Sequence, residues 1–199
     1  MKNILCLCAL LALLVTTSAC SRTAPTAFYQ ITPIAQAKPI EHPATPQQRI
    51  GLLPVSVAAY LDRSQIITRT DPNTVVPANF HVWAEPLREN LRAVLLDNLS
   101  NLRPADTIFL CPDSKQDNYT KQVTVRVTRC EGAPNDQAVL AASWEVYSVT
   151  QRQVVATQSV TLHAPVQGAS HTELAAALSR LTGELSQAIA KSLDETPKP

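Results

Sequence analysis

Glycine is scarce in this chain, four residues among 199. Phosphate-binding loops need glycine where backbone must approach the ligand closely, and no GxGxxG or P-loop pattern occurs. Charge of one sign is also lacking. Lys and Arg number 17 against 16 Asp and Glu, so the electrostatic footprint of a nucleic-acid binder is missing. No Ser sits in a GxSxG elbow, and no HExxH pair offers a zinc site. The longest apolar run, Ile4 to Val15, is too short to span a bilayer, which takes about 20 residues. What the chain does have is proline, 15 residues, clustered near its N-terminus.

That N-terminus reads as a secretory signal. Lys2 supplies a positive charge, Ile4–Val15 the apolar core, and Thr16-Thr17-Ser18-Ala19 the small residues before a cleavage point. Cys20 follows immediately, so the segment resembles a bacterial lipoprotein signal. The resemblance implies cleavage before Cys20 and acylation of its thiol. Ser21 then favours the outer membrane over inner-membrane retention, in a Gram-negative envelope. The alternative is a plain secretory signal followed by a chance cysteine.

Residues 20–48 are expected to be a Pro-rich tether, punctuated by Pro25, Pro33, Pro39, Pro43 and Pro46; such spacers are extended and fairly stiff. Within it, Ala27–Ile31 has the composition of a short edge strand. The folded domain is expected over 49–195. Strands are expected at Arg49–Val55, Gln65–Thr70, Val75–Val82 and Thr107–Cys111. Lys121–Arg129 follows, its valines 123, 125 and 127 alternating with polar residues, and then a hairpin of Val139–Val149 with Gln153–His163. One helix starts near Ala84 with Pro86 in its first turn. Glu85 and Glu89 complement its dipole, and its apolar stripe Leu87, Leu91, Val94, Leu95, Leu102 is broken only by Asn98. A second runs from His171 to about Leu193 behind a Ser170–Glu173 capping box, with Leu174, Leu178, Leu181, Leu185 and Ala188 facing the core. The fold class is therefore α+β: a mainly antiparallel sheet with two principal helices packed on it.

Cys111 and Cys130 are an even pair in what the signal makes an oxidising compartment, so a disulfide is expected. It would close a loop of about 20 residues and contribute roughly 3 kcal/mol; the alternative is two buried thiols. Neither cysteine has a second ligand at metal-binding spacing, and no cofactor is expected. His42, His81, His163 and His171 are the candidate bases. None belongs to a recognisable catalytic constellation, and Glu85/Glu89 read as helix-dipole partners rather than an acid–base pair.

Two motifs stand apart. Tyr60-Leu61-Asp62-Arg63 precedes Gln65-Ile66-Ile67-Thr68-Arg69, and Phe80-His81-Val82-Trp83-Ala84-Glu85-Pro86-Leu87 opens the first helix. With the Cys20 signal and the Ile50–Val55 strand, they resemble the PqiC family of ABC-type transport auxiliary lipoproteins, over roughly residues 28–193. The resemblance implies a non-enzymatic lipoprotein on the periplasmic face of the outer membrane. It implies a PqiB-like MCE protein, a periplasmic conduit for lipids, as partner. It also admits a homo-oligomeric ring at the end of that conduit. Tyr60, Asp62, Arg63, Trp83 and Glu85 are the candidate partner contacts; the structural alternative is that Trp83 caps the core and Asp62–Arg63 fix a loop. A lipid carrier with its own apolar pocket is the competing function.

Overall fold

The valine alternation of Lys121–Gly132 builds the centre of the molecule. In the computed structural model, which describes residues 24–34, 47–112 and 118–195, this segment is strand β7, counting from β1 (Ala27–Tyr29), β2 (Arg49–Leu52), β3 (Ser56–Val57), β4 (Gln65–Asp71), β5 (Thr74–Trp83) and β6 (Thr107–Leu110). Strands β8 (Gln137–Ser148) and β9 (Gln153–Pro165) form the expected hairpin. The expected signal peptide and Cys20 lie outside the described residues.

The strands make two sheets. The larger has the order β6-β2-β7-β8-β9, with β3 pairing β7 beyond β2; the smaller has the order β1-β5-β4. The α+β class holds, and the pairing is mixed. Long antiparallel ladders join β7, β8 and β9, whereas β2 runs parallel to both β6 and β7, and β1 parallel to β5. Parallel neighbours need crossovers, and helix α1 (Leu87–Leu102) lies in the connection leading to β6.

Helix α1 begins later than the sequence suggests. Pro86 sits at its N-cap, with φ −53° and ψ 128°, and its carbonyl accepts from Glu89 and Asn90 at 2.9 and 3.1 Å. Helix α2 (His171–Glu195) starts at the capping box, where Ser170 Oγ donates to Glu173 and accepts from the Thr172 N–H at 3.2 Å. Leu174, Leu178, Leu181 and Leu185 are fully buried, each worth about 1.5–3 kcal/mol on leaving water. They pack on β8 and β9, while α1 packs on α2 and β6.

Polar side chains stitch the N-terminal segment to this helix pair. Asn90 Oδ1 accepts from the Ile31 N–H at 2.8 Å, and Asn90 Nδ2 donates to the Ile31 carbonyl at 3.1 Å. Ser179 Oγ accepts from the Thr32 N–H at 3.0 Å, and Asn98 Oδ1 from the Ile34 N–H at 2.8 Å. Asn98 completes its bonding by donating to Ser186 Oγ at 3.0 Å. The polar break in the α1 stripe thus serves the backbone of another segment. Ile31 is 1% exposed, and a Cβ at Gly183 would lie 2.7 Å from Ile34 Cγ2. Residues 24–34, expected within a tether, are part of the folded body.

The expected disulfide is not formed: Cys111 and Cys130 are both free and buried. Cys111 lies beside Gln122 near the start of β7, its Sγ 4.0 Å from Gln122 Nε2, while Cys130 is near the end of that strand. Eight residues of strand separate positions 122 and 130, about 26 Å, whereas a bridge requires Cα atoms within about 7 Å. Cys130 enters the core because the register shifts between Val127 and Arg129. The bulge reverses which face each residue meets, so the thiol follows the valines inward where simple alternation would put Arg129. Burial first, and then the neighbouring Glu131 charge, push its pKa up to about 12.

Candidate docking cleft and its relatives

The two motifs singled out in the sequence meet at one cleft. The Tyr60–Arg63 motif lies in a turn, closed by Leu61 N–H to Ala58 O at 2.8 Å and Arg63 N–H to Leu61 O at 2.8 Å. Leu61 pins the turn to the core at 1% exposure. The start of the second motif is clamped from two sides. Trp83 N–H donates to Ser64 O at 2.7 Å and Ala84 N–H to Tyr29 O at 2.8 Å. A surface cavity of ≈ 420 Å³ results, lined by Asp62, Arg63, Ser64, Trp83, Ala84, Glu85, Pro86 and Arg88.

Within it, Asp62 accepts from Arg88 Nη1 at 2.5 Å, and Arg88 Nε also lies 3.3 Å from Glu89. Both members of the Asp62–Arg88 pair are more than 40% exposed, so the pair contributes at most about 1 kcal/mol and is free to exchange partners. Glu85 Oε1 accepts from Asn90 Nδ2 at 3.0 Å, tying the cleft to the Asn90 that holds Ile31. Trp83 is buried at 5% and belongs to the core cluster. It forms the floor, and the charges that a partner can reach are those of Asp62, Arg63, Glu85 and Arg88.

Tyr60 points elsewhere. Its hydroxyl donates to Glu131 Oε2 at 2.8 Å, with the Thr128 carbonyl at 3.1 Å. Glu131, 1% exposed, also accepts from Arg69 Nε at 2.5 Å and Arg129 Nε at 2.8 Å. Burial alone would raise the Glu131 pKa, but hydrogen bonds from Arg69, Tyr60 and Arg129 outweigh it and hold the carboxyl below its ordinary value. Burial and the Glu131 carboxylate push Tyr60 up to about 12, so its phenol stays protonated and donating. This knot joins β4 to β7 beside a second cavity of ≈ 550 Å³, whose lining includes Arg69, Asp71, Arg129 and Asp136. Arg69 was visible in the first motif; Glu131 was not, because its value depends on the β7 bulge and on β4 lying alongside. Arg88 belongs to neither motif, and only the contact with Asp62 brings it into the cleft.

A third cluster lies where β1, β5 and α2 meet. Tyr29 Oη and His81 Nδ1 are 2.8 Å apart, and the His81 and His171 rings stack at 3.7 Å. Burial, then the His81 charge, lower the His171 pKa. Among the described residues no group of three or more His, Cys, Asp or Glu could hold a metal ion, and no helix is long and apolar enough to cross a membrane.

The family model described as the ABC-type transport auxiliary lipoprotein component matches residues 29–190. The chain belongs to this family. The match takes in both motifs, the cleft between them, the first helix and the second helix as far as residue 190. The chain is also 27% identical over 118 residues to the intermembrane transport lipoprotein PqiC of Escherichia coli K12 and to that of Shigella flexneri. Those aligned residues are 59% of this chain and 60% of each relative, so the chain spans less than two thirds of the curated relatives it matches. A crystal structure of a Xanthomonas campestris protein shares the fold at a TM-score of 0.66 with 18% identity, covering 85% of this chain and 98% of that one. A second crystal structure, of an uncharacterized protein, reaches 0.71 at 21% identity over 85% and 99%.

Proposed function

We propose that this family member is a non-enzymatic docking component of an MCE-type intermembrane lipid transport system, held on the periplasmic face of the outer membrane by an acylated Cys20. The observation that carries the reading is the meeting of the Tyr60–Arg63 and Phe80–Leu87 motifs in one exposed cleft, within a fold whose family is that of transport auxiliary lipoproteins. The cleft suits a protein partner. A buried aromatic floor is rimmed by charges of both signs, and the exposed Asp62–Arg88 pair is weak enough to be exchanged for partner contacts. Tyr60 serves this site at one remove, by fixing the turn that carries Asp62 and Arg63.

The test is site-specific photo-crosslinking in intact cells. A photoreactive side chain at Arg63 or Glu85 is expected to capture one MCE-domain protein. The same probe at Glu145, exposed on β8, is expected to capture none. Equal labelling at all three positions, or co-purification of lipid with no protein partner, would favour the lipid carrier and remove the cleft from consideration.

A further inference from the structure

Among the described residues four large apolar side chains stand exposed: Phe28 at 69%, Val154 at 48%, Phe80 at 42% and Val76 at 41%. Three of them lie on β1 and β5, neighbouring strands of the smaller sheet. Ala27 and His81 are register partners, so Phe28 and Phe80 flank a single rung. Phe80 is also held at φ 61°, a region that bulky side chains avoid. It lies where β5 bulges: the β4 partner advances only from Gln65 to Ile67 while β5 runs from Val82 back to Pro77. The bulge therefore holds an unfavourable backbone and leaves the Phe80 ring partly exposed to water, outside the core cluster. Neither β1 nor β5 contains a carboxylate that an anionic surface would repel.

The covalent chain says what covers this face. Cys20 and Ala27 are seven residues apart, which a fully extended chain spans in at most about 25 Å. The Pro-rich residues 35–46 add nothing to that reach, because they follow the docked Ile31–Ile34 segment rather than precede it. An anchor at Cys20 thus works through a short leash, and the leash enters the body beside Phe28 and Phe80.

We propose that Phe28, Phe80 and Val76 form a membrane-resting face, seated at the headgroup–acyl boundary of the bilayer in which Cys20 is anchored. The inference rests on the acylation of Cys20 proposed above. Two aromatic rings and a valine beside a lipid anchor add an interfacial contact to the acyl chains. They also fix which side of the domain points toward the periplasm.

The full acylated protein, reconstituted in vesicles of phosphatidylethanolamine and phosphatidylglycerol, tests this with nitroxide labels on F28C, F80C and, as the exposed apolar control on the other sheet, V154C. Labels at 28 and 80 are expected to collide with a water-soluble nickel chelate about threefold less often than the label at 154, as burial into the interface by 5–10 Å would give. Equal, fully aqueous accessibility at all three sites in protein that floats with the vesicles would overturn the face and leave the anchor standing. Protein that does not float would overturn both. Phe80→Gly separates contact from folding. Glycine adopts the left-handed conformation freely, so its melting temperature is expected to equal or exceed that of the parent, while the label at 28 regains chelate access. Unchanged protection at 28 in that variant would remove Phe80 from the face.

Discussion

The two sheets of this protein are built to different standards. In the larger, β7 and β8 are buried along most of their length, and α2 covers the sheet with a row of leucines that lie at zero exposure. In the smaller, both register shifts of the β4–β5 pair, the left-handed Phe80 and two of the four exposed large apolar side chains occur within about twenty residues, and a third, Phe28, lies on the neighbouring β1. The long β7–β8 and β8–β9 ladders carry one register shift each over 11 and 12 pairs, against two shifts in the five pairs of β4–β5. Irregular backbone persists only where the surrounding structure enforces it, and it collects at sites of interaction. The contrast places stability in the larger sheet and, on the function proposed above, recognition in the smaller, whose strand ends also carry Trp83 and, just past it, Glu85.

The largest expected effect breaks the stable side. Leu178→Ala should cost about 2–5 kcal/mol in denaturant unfolding, as a fully buried leucine leaving a cavity. Val76→Ser on the smaller sheet should stay within about 0.5 kcal/mol. Equal losses at the two positions would erase the distinction.

The knot between the sheets comes next. Glu131→Gln removes the acceptor charge that two guanidiniums share and should cost about 2 kcal/mol. The pH dependence has a definite sign. The folded carboxyl titrates below its unfolded value, so its contribution is complete above about pH 4.3 and is lost as pH falls through the folded pKa. Melting curves of the Gln variant should therefore show a shallower acid loss than the parent; parallel curves would mean that the ion pairs do not hold Glu131 ionised.

A smaller effect probes the docked N-terminal segment. Asn98→Ala leaves the Ile34 N–H without its acceptor and should cost about 1–2 kcal/mol. Hydrogen exchange should quicken at Ile34, where the acceptor is lost, and leave the β8 amides near their original rates. Uniform acceleration would show that residues 31–34 open only with the whole fold. The smallest effect is none at all: a reducing agent should leave both melting temperature and gel mobility unchanged, since Cys111 lies beside the start of β7 and Cys130 near its far end. A shift of either would restore the bridge.

Much of the fold was legible because it depends on local periodicity. The alternation of Val123, Val125 and Val127 marks β7, and the leucine spacing from 174 to 185 marks α2, since an element buried on one face must repeat with its own period. The candidate cleft was half legible. Asp62, Arg63 and Glu85 could be picked out from two unusual motifs, but Arg88 could not, because its role comes from a turn 26 residues away. Tyr60 belongs to the same motif as Asp62 and Arg63, but does not share their cleft. In the fold Leu61 turns into the core and Tyr60 is sent to Glu131.

By itself the sequence determined the α+β class, the presence and order of the long strands and both helices, and the resemblance to a lipoprotein family, since periodic elements and short motifs are patterns within short windows. Only the tertiary structure decided that the smaller sheet exists apart from the larger, that residues 24–34 are part of the body, and that the two cysteines stay apart. Each of these turns on contacts between segments distant in the chain, and the inward placing of Cys130 turns on a bulge in β7 that reverses which side chains face the core. Such a reversal leaves the hydrophobic pattern before it unchanged and is set by the strands and helices that the segment packs against.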